Sequence, residues 1–287
     1  MGRRALPKIN PTIDYSAWFI DGKQLPDDWK LASLFAKDQP LEIEVGTGKG
    51  LFINSESGRV PTHNYLGIEI AQKYARFSAS RLCTSGRTNA IMMAGDATAL
   101  FKKFVPDQSL AAVHVYFPDP WWKKRHRRRR VLNPHFMRDI ERTLKIGGTL
   151  HFWTDVQEYF ESALADLATS TYLEGPFEVA EIAPEHDLDY RTHFERRKRQ
   201  LDLPIYRSEF RKVKAECCAA PLVSLEESEG IDDPGMSSDD SAMLDFEGES
   251  QLEYDATTID STDIDDDNDG PNHITSDDRS RRDTLDD

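Results

Sequence analysis

Residues 113–130 of the chain read VHVYFPDPWWKKRHRRRR. The stretch opens with an apolar run rich in β-branched residues, continues with a carboxylate between two prolines and with two tryptophans, and ends with seven Lys/Arg among the eight residues 123–130. Proline fixes its own φ and disfavours helical conformations in the residue before it, so Phe117 and Asp119 are predicted to be extended, with the carboxylate directed outward. This order indicates a strand, an acidic tip, a surface for base stacking and a cluster of cations for phosphates.

Charge divides the chain of 287 residues near residue 215. Residues 216–287 hold 24 acidic and three basic side chains, a net charge of −21, whereas residues 1–215 hold 27 acidic and 33 basic ones, a net charge of +6. The first part is long enough to bury a full core, and its positive balance suits a phosphate-rich partner. The second part is too polar to bury a core, which predicts a disordered acidic tail. We therefore expect one domain over 1–215, which includes an N-terminal arm over 1–40, and a tail over 216–287.

Cysteine content and hydropathy restrict the compartment. The three cysteines, Cys83, Cys217 and Cys218, have neither the count nor the spacing of a disulfide framework or a zinc site. No stretch is long and apolar enough to span a membrane, and Pro7 and Pro11 interrupt any signal-peptide core. These features predict a cytoplasmic protein that has no membrane partner and needs no metal.

Short apolar runs alternate with segments of helical spacing. The run LEIEV at 41–45 meets a glycine-rich loop, GTGKG at 46–50, after which a helix is predicted to begin. Closely spaced glycines let the backbone approach a ligand, and a helix N-terminus offers unpaired N–H groups to an anion. Further strands are predicted at 65–70, 90–93, 110–117, 149–153, 177–182 and 205–213, and helices at 71–83, 134–145 and 156–168. This alternation is typical of a parallel α/β sheet.

Acidic residues and glycines fall at or near the predicted carboxyl ends of the strands, where parallel sheets bind ligands. The candidates are Glu44, Gly46, Gly48, Glu69, Asp96, Asp119 and Asp155. Glu69 lies 23 residues beyond Gly46, a spacing at which an acid commonly accepts ribose hydroxyls. An acid-rich wall suits the sulfonium and ammonium groups of S-adenosylmethionine better than the pyrophosphate of a dinucleotide.

Three motifs together resemble the bacterial tRNA (guanine-N(7)-)-methyltransferase family. FPDPW at 117–121, followed by the basic run, is similar to the family signature, THFER at 192–196 resembles its C-terminal signature, and Thr154-Asp155 resembles a third element. The likeness covers roughly residues 38–214. It implies a Rossmann-like methyltransferase fold, mostly parallel with an antiparallel C-terminal edge strand. It also implies transfer of a methyl group from S-adenosylmethionine to N7 of a guanine in tRNA.

The resemblance implies a role for each matching residue. Glu44, Glu69 and Asp96, beside the loop glycines Gly46 and Gly48, would contact S-adenosylmethionine, and Asp119 would be the catalytic acid that also faces the cofactor. The residues implied to bind tRNA are Lys123, Asp155, Thr192 and Glu195. The residues implied to hold the RNA backbone are Arg125, Arg127, Arg128, Arg129 and Arg130. Trp122 and the acidic tail depart from the family pattern.

The chemistry agrees with such a site, and two other classes remain open. N7 of guanine carries an in-plane lone pair, so its methylation requires alignment and a group that accommodates positive charge rather than a prior deprotonation. Asp119 can meet the second requirement by accepting hydrogen bonds from the N–H donors of guanine. An NAD-dependent oxidoreductase would explain the glycine loop and Glu69 but not the arginines. A non-catalytic RNA-binding protein would explain the basic run but not the strand-end acids.

Overall fold

The computed structural model describes residues 6–121, 124–180 and 190–219. The strands in these ranges are β1 (Phe19–Asp21), β2 (Leu41–Val45), β3 (Asn64–Glu69), β4 (Ala90–Ala94), β5 (Leu110–Tyr116), β6 (Leu144–Thr154), β7 (Glu174–Phe177) and β8 (Tyr206–Arg211). The α-helices are α1 (Leu51–Arg59), α2 (Gln72–Thr84), α3 (Ala97–Phe104), α4 (Pro134–Thr143), α5 (Gln157–Ser170) and α6 (His193–Gln200). Short 3₁₀ helices cover Ser16–Trp18, Gly22–Gln24, Leu31–Leu34 and Lys124–Arg129.

The strands form one sheet in the order β1-β4-β3-β2-β5-β6-β8-β7. The strands from β1 to β6 pair in parallel, whereas β8 runs antiparallel to both β6 and β7. This confirms the predicted Rossmann-like arrangement with an antiparallel C-terminal edge. The strands β2 and β5 are adjacent, but the chain continues from β2 to β3 on one side and from β5 to β6 on the other. The carboxyl ends of β2 and β5 therefore border the crevice in which such sheets bind ligands.

Apolar side chains fill both faces of the sheet. On one face, Val113 and Val115 of β5 are fully buried in a cluster with residues of α3, α4 and α5, among them Phe136. On the other face, Ala79 and Leu82 of α2 belong to a second buried cluster with residues of β3 and β4. A central parallel strand covered on both faces reads as a nearly continuous apolar run, which explains the sequence of β5.

Several elements differ from the predictions. The N-terminal arm supplies β1, which pairs with β4 through Ile20 and Met93 and so extends the sheet. The strand predicted at 177–182 is displaced: β7 ends at Phe177, residues 178–180 have no regular structure, and residues 181–182 lie outside the described ranges. β7 contains Gly175 and Pro176, which are poor strand formers but are tolerated because β7 is at the sheet edge.

The domain continues past the predicted boundary at residue 215. The Nζ atom of Lys212, a buried residue, donates to the Glu141 carbonyl over 2.7 Å, and the N–H of Cys218 donates to Oε2 of Glu141 over 3.0 Å. Glu141 and Cys218 are buried as well, so the chain remains packed on α4 as far as residue 218. The rest of the predicted tail, 220–287, lies outside the described residues. Within the described part of the chain, no helix is long and apolar enough to cross a membrane.

Candidate active site

The glycine loop after β2 needs glycine for its backbone conformation. Gly46, Gly48 and Gly50 have φ values of +77°, +57° and +73°, which L side chains rarely adopt. A Cβ atom at Gly46 or Gly48 would point into open space, whereas one at Gly50 would lie 2.7 Å from the Ser78 side chain. The loop therefore packs tightly against α2 and leaves room for a ligand beside Gly46 and Gly48.

Glu69, the last residue of β3, binds this loop through its carboxylate. Oε2 accepts a hydrogen bond of 2.8 Å from the Gly48 N–H, and Oε1 accepts one of 2.9 Å from the Ala71 N–H. Burial raises the pKa of Glu69 above its usual value and the charge of Asp119 adds to this, although the backbone hydrogen bonds oppose it. Each carboxylate oxygen can accept a second hydrogen bond, so Glu69 remains able to receive ribose hydroxyls.

Glu44, on β2, has a buried carboxylate oxygen that is available to a ligand. The residue is 4% exposed, and its Oε2 atom has no hydrogen-bond partner among the described residues. Burial, and then the charge of Glu69, raise the pKa of Glu44 well above its usual value. Because buried polar atoms are rarely left unpaired, this oxygen is suited to an N–H or cationic donor. As an acceptor, this oxygen fits the ammonium and hydroxyl groups of S-adenosylmethionine, which donate.

The loop after β5 carries Asp119, and its backbone is strained. Phe117 has φ +49° and Trp121 has φ +45°, so the prediction that Phe117 is extended was wrong. The Phe117 N–H donates to the Trp153 carbonyl over 2.8 Å, and its ring lies 5.0 Å from that of Phe194. These contacts hold a conformation that the following proline does not favour, as is common at functional sites. The Asp119 side chain is exposed.

Arg130 lies inside the protein, unlike the arginines before it. Its Nε atom donates to the Pro120 carbonyl over 2.8 Å, its Nη1 atom donates to the Ser162 hydroxyl over 3.1 Å, and its guanidinium stacks 4.4 Å from the Tyr159 ring. Only 8% of the residue is exposed. Arg130 thus connects the Asp119 loop to α5, and its predicted contact with the RNA backbone stays a prediction.

The other arginines of the basic run are exposed on the 3₁₀ helix Lys124–Arg129. Arg127 forms an ion pair with Glu158, and Arg129 lies 5.2 Å from the Trp121 ring. Arg125 and Arg128 are three residues apart, so they share one face of the 3₁₀ helix. The exposed arginines are therefore placed beside the Asp119 loop, while Trp122 and Lys123 lie outside the described residues.

Thr192 and Glu195 form the beginning of α6. The Thr192 hydroxyl accepts a hydrogen bond of 3.0 Å from the Glu195 N–H, and Oε2 of Glu195 accepts one of 2.7 Å from the Arg191 N–H. Glu195 is 3% exposed and lies 3.4 Å from Arg199 and 3.8 Å from Arg207. Both side chains thus bind backbone N–H groups at the N-terminus of α6, and their contact with tRNA stays a prediction.

The remaining acids occupy the same edge of the sheet. Asp155 follows β6 directly and forms a 2.7 Å ion pair with Lys198 of α6. Asp96 follows β4, is exposed, and caps α3 by accepting a hydrogen bond of 2.9 Å from the Thr98 N–H. All the acids predicted at strand ends are therefore at the carboxyl edge. Among the described residues, no group of three or more His, Cys, Asp or Glu side chains could hold a metal ion.

Two residues of α2 that the sequence did not single out support the glycine loop. The Ser78 hydroxyl donates to the Gly48 carbonyl over 2.9 Å, and Nη1 of Arg81 donates to the Lys49 carbonyl over 3.0 Å. Their separation of three residues places them on one side of α2. The only signal in the sequence is this spacing, which any pair of polar residues on a helix can show.

Comparisons with known proteins agree with this geometry. A family model described as a putative methyltransferase matches residues 38–208, so the chain is a methyltransferase. It is 52% identical over 220 residues to a tRNA (guanine-N(7)-)-methyltransferase of Rhodopirellula baltica, covering 74% of this chain and 80% of the relative. It is 33% identical over 181 residues to the enzyme of that name from Psychromonas ingrahamii, covering 63% of this chain and 74% of the relative. The chain belongs to the tRNA (guanine-N(7)-)-methyltransferase family, which confirms the resemblance predicted from its motifs.

Proposed function

We propose that this protein transfers a methyl group from S-adenosylmethionine to N7 of a guanine in tRNA and so forms 7-methylguanosine. The observation that carries the proposal is the position of Asp119. It lies beyond β5, at the crevice that β5 shares with the glycine loop of β2, and its charge acts on the buried carboxyl of Glu69. A nucleobase held by Asp119 would therefore face whatever ligand the loop binds.

The cofactor side of the site consists of the glycine loop and the acids around it. S-adenosylmethionine supplies an electrophilic methyl group when bound. The unpaired Oε2 atom of Glu44 suits its ammonium group, Glu69 suits its ribose, and Gly46 and Gly48 leave space for its close approach. Asp96 is the exposed acid at the end of the neighbouring strand and would contact its adenine end. In their ionised forms, the buried carboxylates of Glu44 and Glu69 attract a cationic ligand more strongly than exposed ones would.

Asp119 would position the guanine and balance its charge. Methylation at N7 leaves a positive charge on the ring, and a carboxylate that accepts the guanine N–H groups stabilises this charge as it develops. No proton has to leave N7 first, so the residue acts through electrostatics and orientation rather than as a base at that atom. Arg130 holds the carbonyl of Pro120, the residue after Asp119, which keeps the carboxylate at a defined position.

The exposed arginines would hold the tRNA beside this site. Arg125, Arg127, Arg128 and Arg129 lie on a short helix that begins five residues after Asp119. Guanidinium groups bind phosphates well, and such contacts position a nucleic acid without reading its sequence. A non-catalytic RNA-binding protein would have no use for the buried acids Glu44 and Glu69, and an oxidoreductase would have no use for the arginines.

Methyl transfer to two transcripts of the same tRNA tests the proposal. One transcript contains guanosine and the other contains 7-deazaguanosine, in which a C–H group replaces N7. We expect label from methyl-labelled S-adenosylmethionine to appear only in the first transcript. Binding of both transcripts with comparable affinity would serve as the control for folding. Equal labelling of the two transcripts would place the methyl group on another atom and contradict the proposal.

A further inference from the structure

Arg81 connects the glycine loop to the beginning of α6. Its Nη1 atom lies 3.0 Å from the Lys49 carbonyl oxygen and 3.1 Å from Nε2 of His193. We infer that this contact makes the binding of cofactor and of tRNA cooperative, with Arg81 as a positioning residue between the two sites. The inference rests on the proposed function, because it requires that the protein bind both ligands.

The loop side of the contact depends on the conformation that surrounds the cofactor. Lys49 stands between Gly48 and Gly50, both of which have positive φ. The N–H of Gly48 donates to Glu69 and its carbonyl accepts from Ser78, so the peptide next to Lys49 is held by residues of the cofactor site. A ligand that contacts Gly48 or Glu69 therefore fixes the direction of the Lys49 carbonyl as well.

The helix side of the contact leads to the substrate. His193 is the first residue of α6 and follows the capping residue Thr192. The next residue, Phe194, is 40% exposed, and its ring lies 5.0 Å from that of Phe117, the first residue of the Asp119 loop. The contact of Arg81 thus reaches α6 at the point where the helix touches the proposed guanine site.

The helix is short enough for single contacts to matter. α6 has eight residues, and the side chains that attach it to the rest of the domain include His193, Phe194 and Lys198, whose ammonium pairs with Asp155. A short helix is marginal in water without such tertiary contacts. Ordering the Lys49 carbonyl would orient the Arg81 guanidinium, and Arg81 would in turn favour the position of α6 that tRNA needs. By linkage, tRNA must favour cofactor binding to the same degree.

The test compares tRNA affinity with and without saturating S-adenosylhomocysteine. In the wild-type protein we expect the product cofactor to tighten tRNA binding by about fivefold or more, the lower end of typical couplings. Arg81→Met should reduce this ratio towards one. Arg76→Met is the matched control, because Arg76 is an exposed arginine of the same helix, 5.6 Å from the Phe19 ring and on the N-terminal side of Arg81.

A second variant separates coupling from damage to the loop. His193→Ala removes the helix side of the contact and leaves the bond between Arg81 and Lys49, so it should reduce the ratio without weakening S-adenosylhomocysteine binding. The double variant should then have no larger effect than either single one. If the role of Arg81 were purely structural, the variants would lower tRNA affinity equally with and without S-adenosylhomocysteine, and the ratio would not change. A ratio of one in the wild type, or an unchanged ratio in both variants, overturns the inference, whereas failure of the wild type to bind either ligand contradicts the proposed function instead.

Discussion

The Nε atom of Arg130 donates a 2.8 Å hydrogen bond to the carbonyl oxygen of Pro120, the residue after Asp119. The same guanidinium is buried against the Tyr159 ring of α5. The last arginine of the cationic run thus binds the protein's own backbone beside Asp119, although its sequence context is that of the exposed arginines before it. Substitution of Arg130 should therefore have different effects on stability and activity from substitution of an exposed arginine of the run.

Arg130→Met should lower both stability and turnover. Loss of the buried donor leaves the Pro120 carbonyl without this partner, which typically costs about 1–3 kcal/mol of unfolding free energy. Because the residue after Asp119 loses this support, kcat should fall at least about tenfold, equivalent to about 1.4 kcal/mol. Arg128→Met is the control, and it should raise KM for tRNA while stability stays within about 0.5 kcal/mol, as for other exposed sites. Denaturant unfolding and steady-state kinetics give both numbers, and identical behaviour of the two variants would refute the assignment of Arg130.

Cofactor binding should release a proton from Glu44. Burial, together with the charge of Glu69, raises the pKa of Glu44 well above its usual value, so the free protein keeps a proton there at pH values where an ordinary carboxyl is ionised. A ligand that donates to Oε2 favours the ionised form and lowers that pKa again. Affinity for S-adenosylhomocysteine should therefore rise with pH until Glu44 ionises in the free protein.

Calorimetry in two buffers of different ionisation enthalpy measures this proton. Glu44→Gln should abolish the release and weaken binding, whereas Glu161→Gln, at an exposed position of α5, should change neither. Proton uptake by the wild-type protein, or release that persists in Glu44→Gln, would show that another group titrates.

Two exposed arginines should contribute to the salt dependence of tRNA binding. Arg125 and Arg128 share one face of the 3₁₀ helix Lys124–Arg129, and each phosphate contact contributes roughly 0.7 to 0.9 to the log-log slope. The double alanine variant should flatten the slope by about 1.4 to 1.8. The control removes the same charge at two exposed lysines at the amino ends of strands. Lys37 lies next to the amino ends of β2 and β3, and Lys145 lies at the amino end of β6. Equal slopes for the two double variants would make the arginine face an ordinary solvated one.

We hypothesise that the acidic tail competes with tRNA for the basic helix. Residues 220–287 carry a net charge of −20, and tethering gives them a high effective concentration near their own domain. Removal of these residues should tighten tRNA binding at low salt, and the gain should fade as the Debye length falls below about 8 Å. Equal affinities of the full chain and the truncated chain at low salt would leave only a solubilising role.

The point of truncation matters for this experiment. A cut after residue 215, the boundary predicted from charge, would remove Cys218, whose N–H donates to the buried carboxylate of Glu141 over 3.0 Å. Such a chain should lose about 1–3 kcal/mol of stability, because Glu141 keeps a desolvated oxygen without this donor. A cut after residue 219 preserves the contact and is the variant to compare with the full chain.

The sequence predicts the parts of this protein that local chemistry determines. The glycines of residues 46–50 have few other uses at a strand end, and β5 reads as a buried strand because both of its faces are covered. The acids at the strand ends follow from the topology of a parallel sheet, which brings all carboxyl ends to one edge. For these features, the type of residue and its spacing carry enough information.

The missed features depend on tertiary packing. Phe117 is expected to be extended from the proline after it, but its contacts with Trp153 and Phe194 impose a positive φ instead. Arg130 has the same composition signal as the arginines before it, and only its place beside Tyr159 turns it inward. β1 has three residues, too few for a periodic pattern, and is recognisable only by its pairing with β4.

Nucleoside mass spectrometry tests the central claim most directly. Unmodified tRNA is incubated with S-adenosylmethionine and either the wild-type protein or Asp119→Ala, then digested to nucleosides. We expect 7-methylguanosine as the product of the wild-type protein and a loss of at least about a hundredfold with Asp119→Ala, in line with the removal of one electrostatic group from an active site. The variant should retain its unfolding transition, because Asp119 is exposed. A wild-type product other than 7-methylguanosine, or near-normal turnover by a folded Asp119→Ala, would contradict the account.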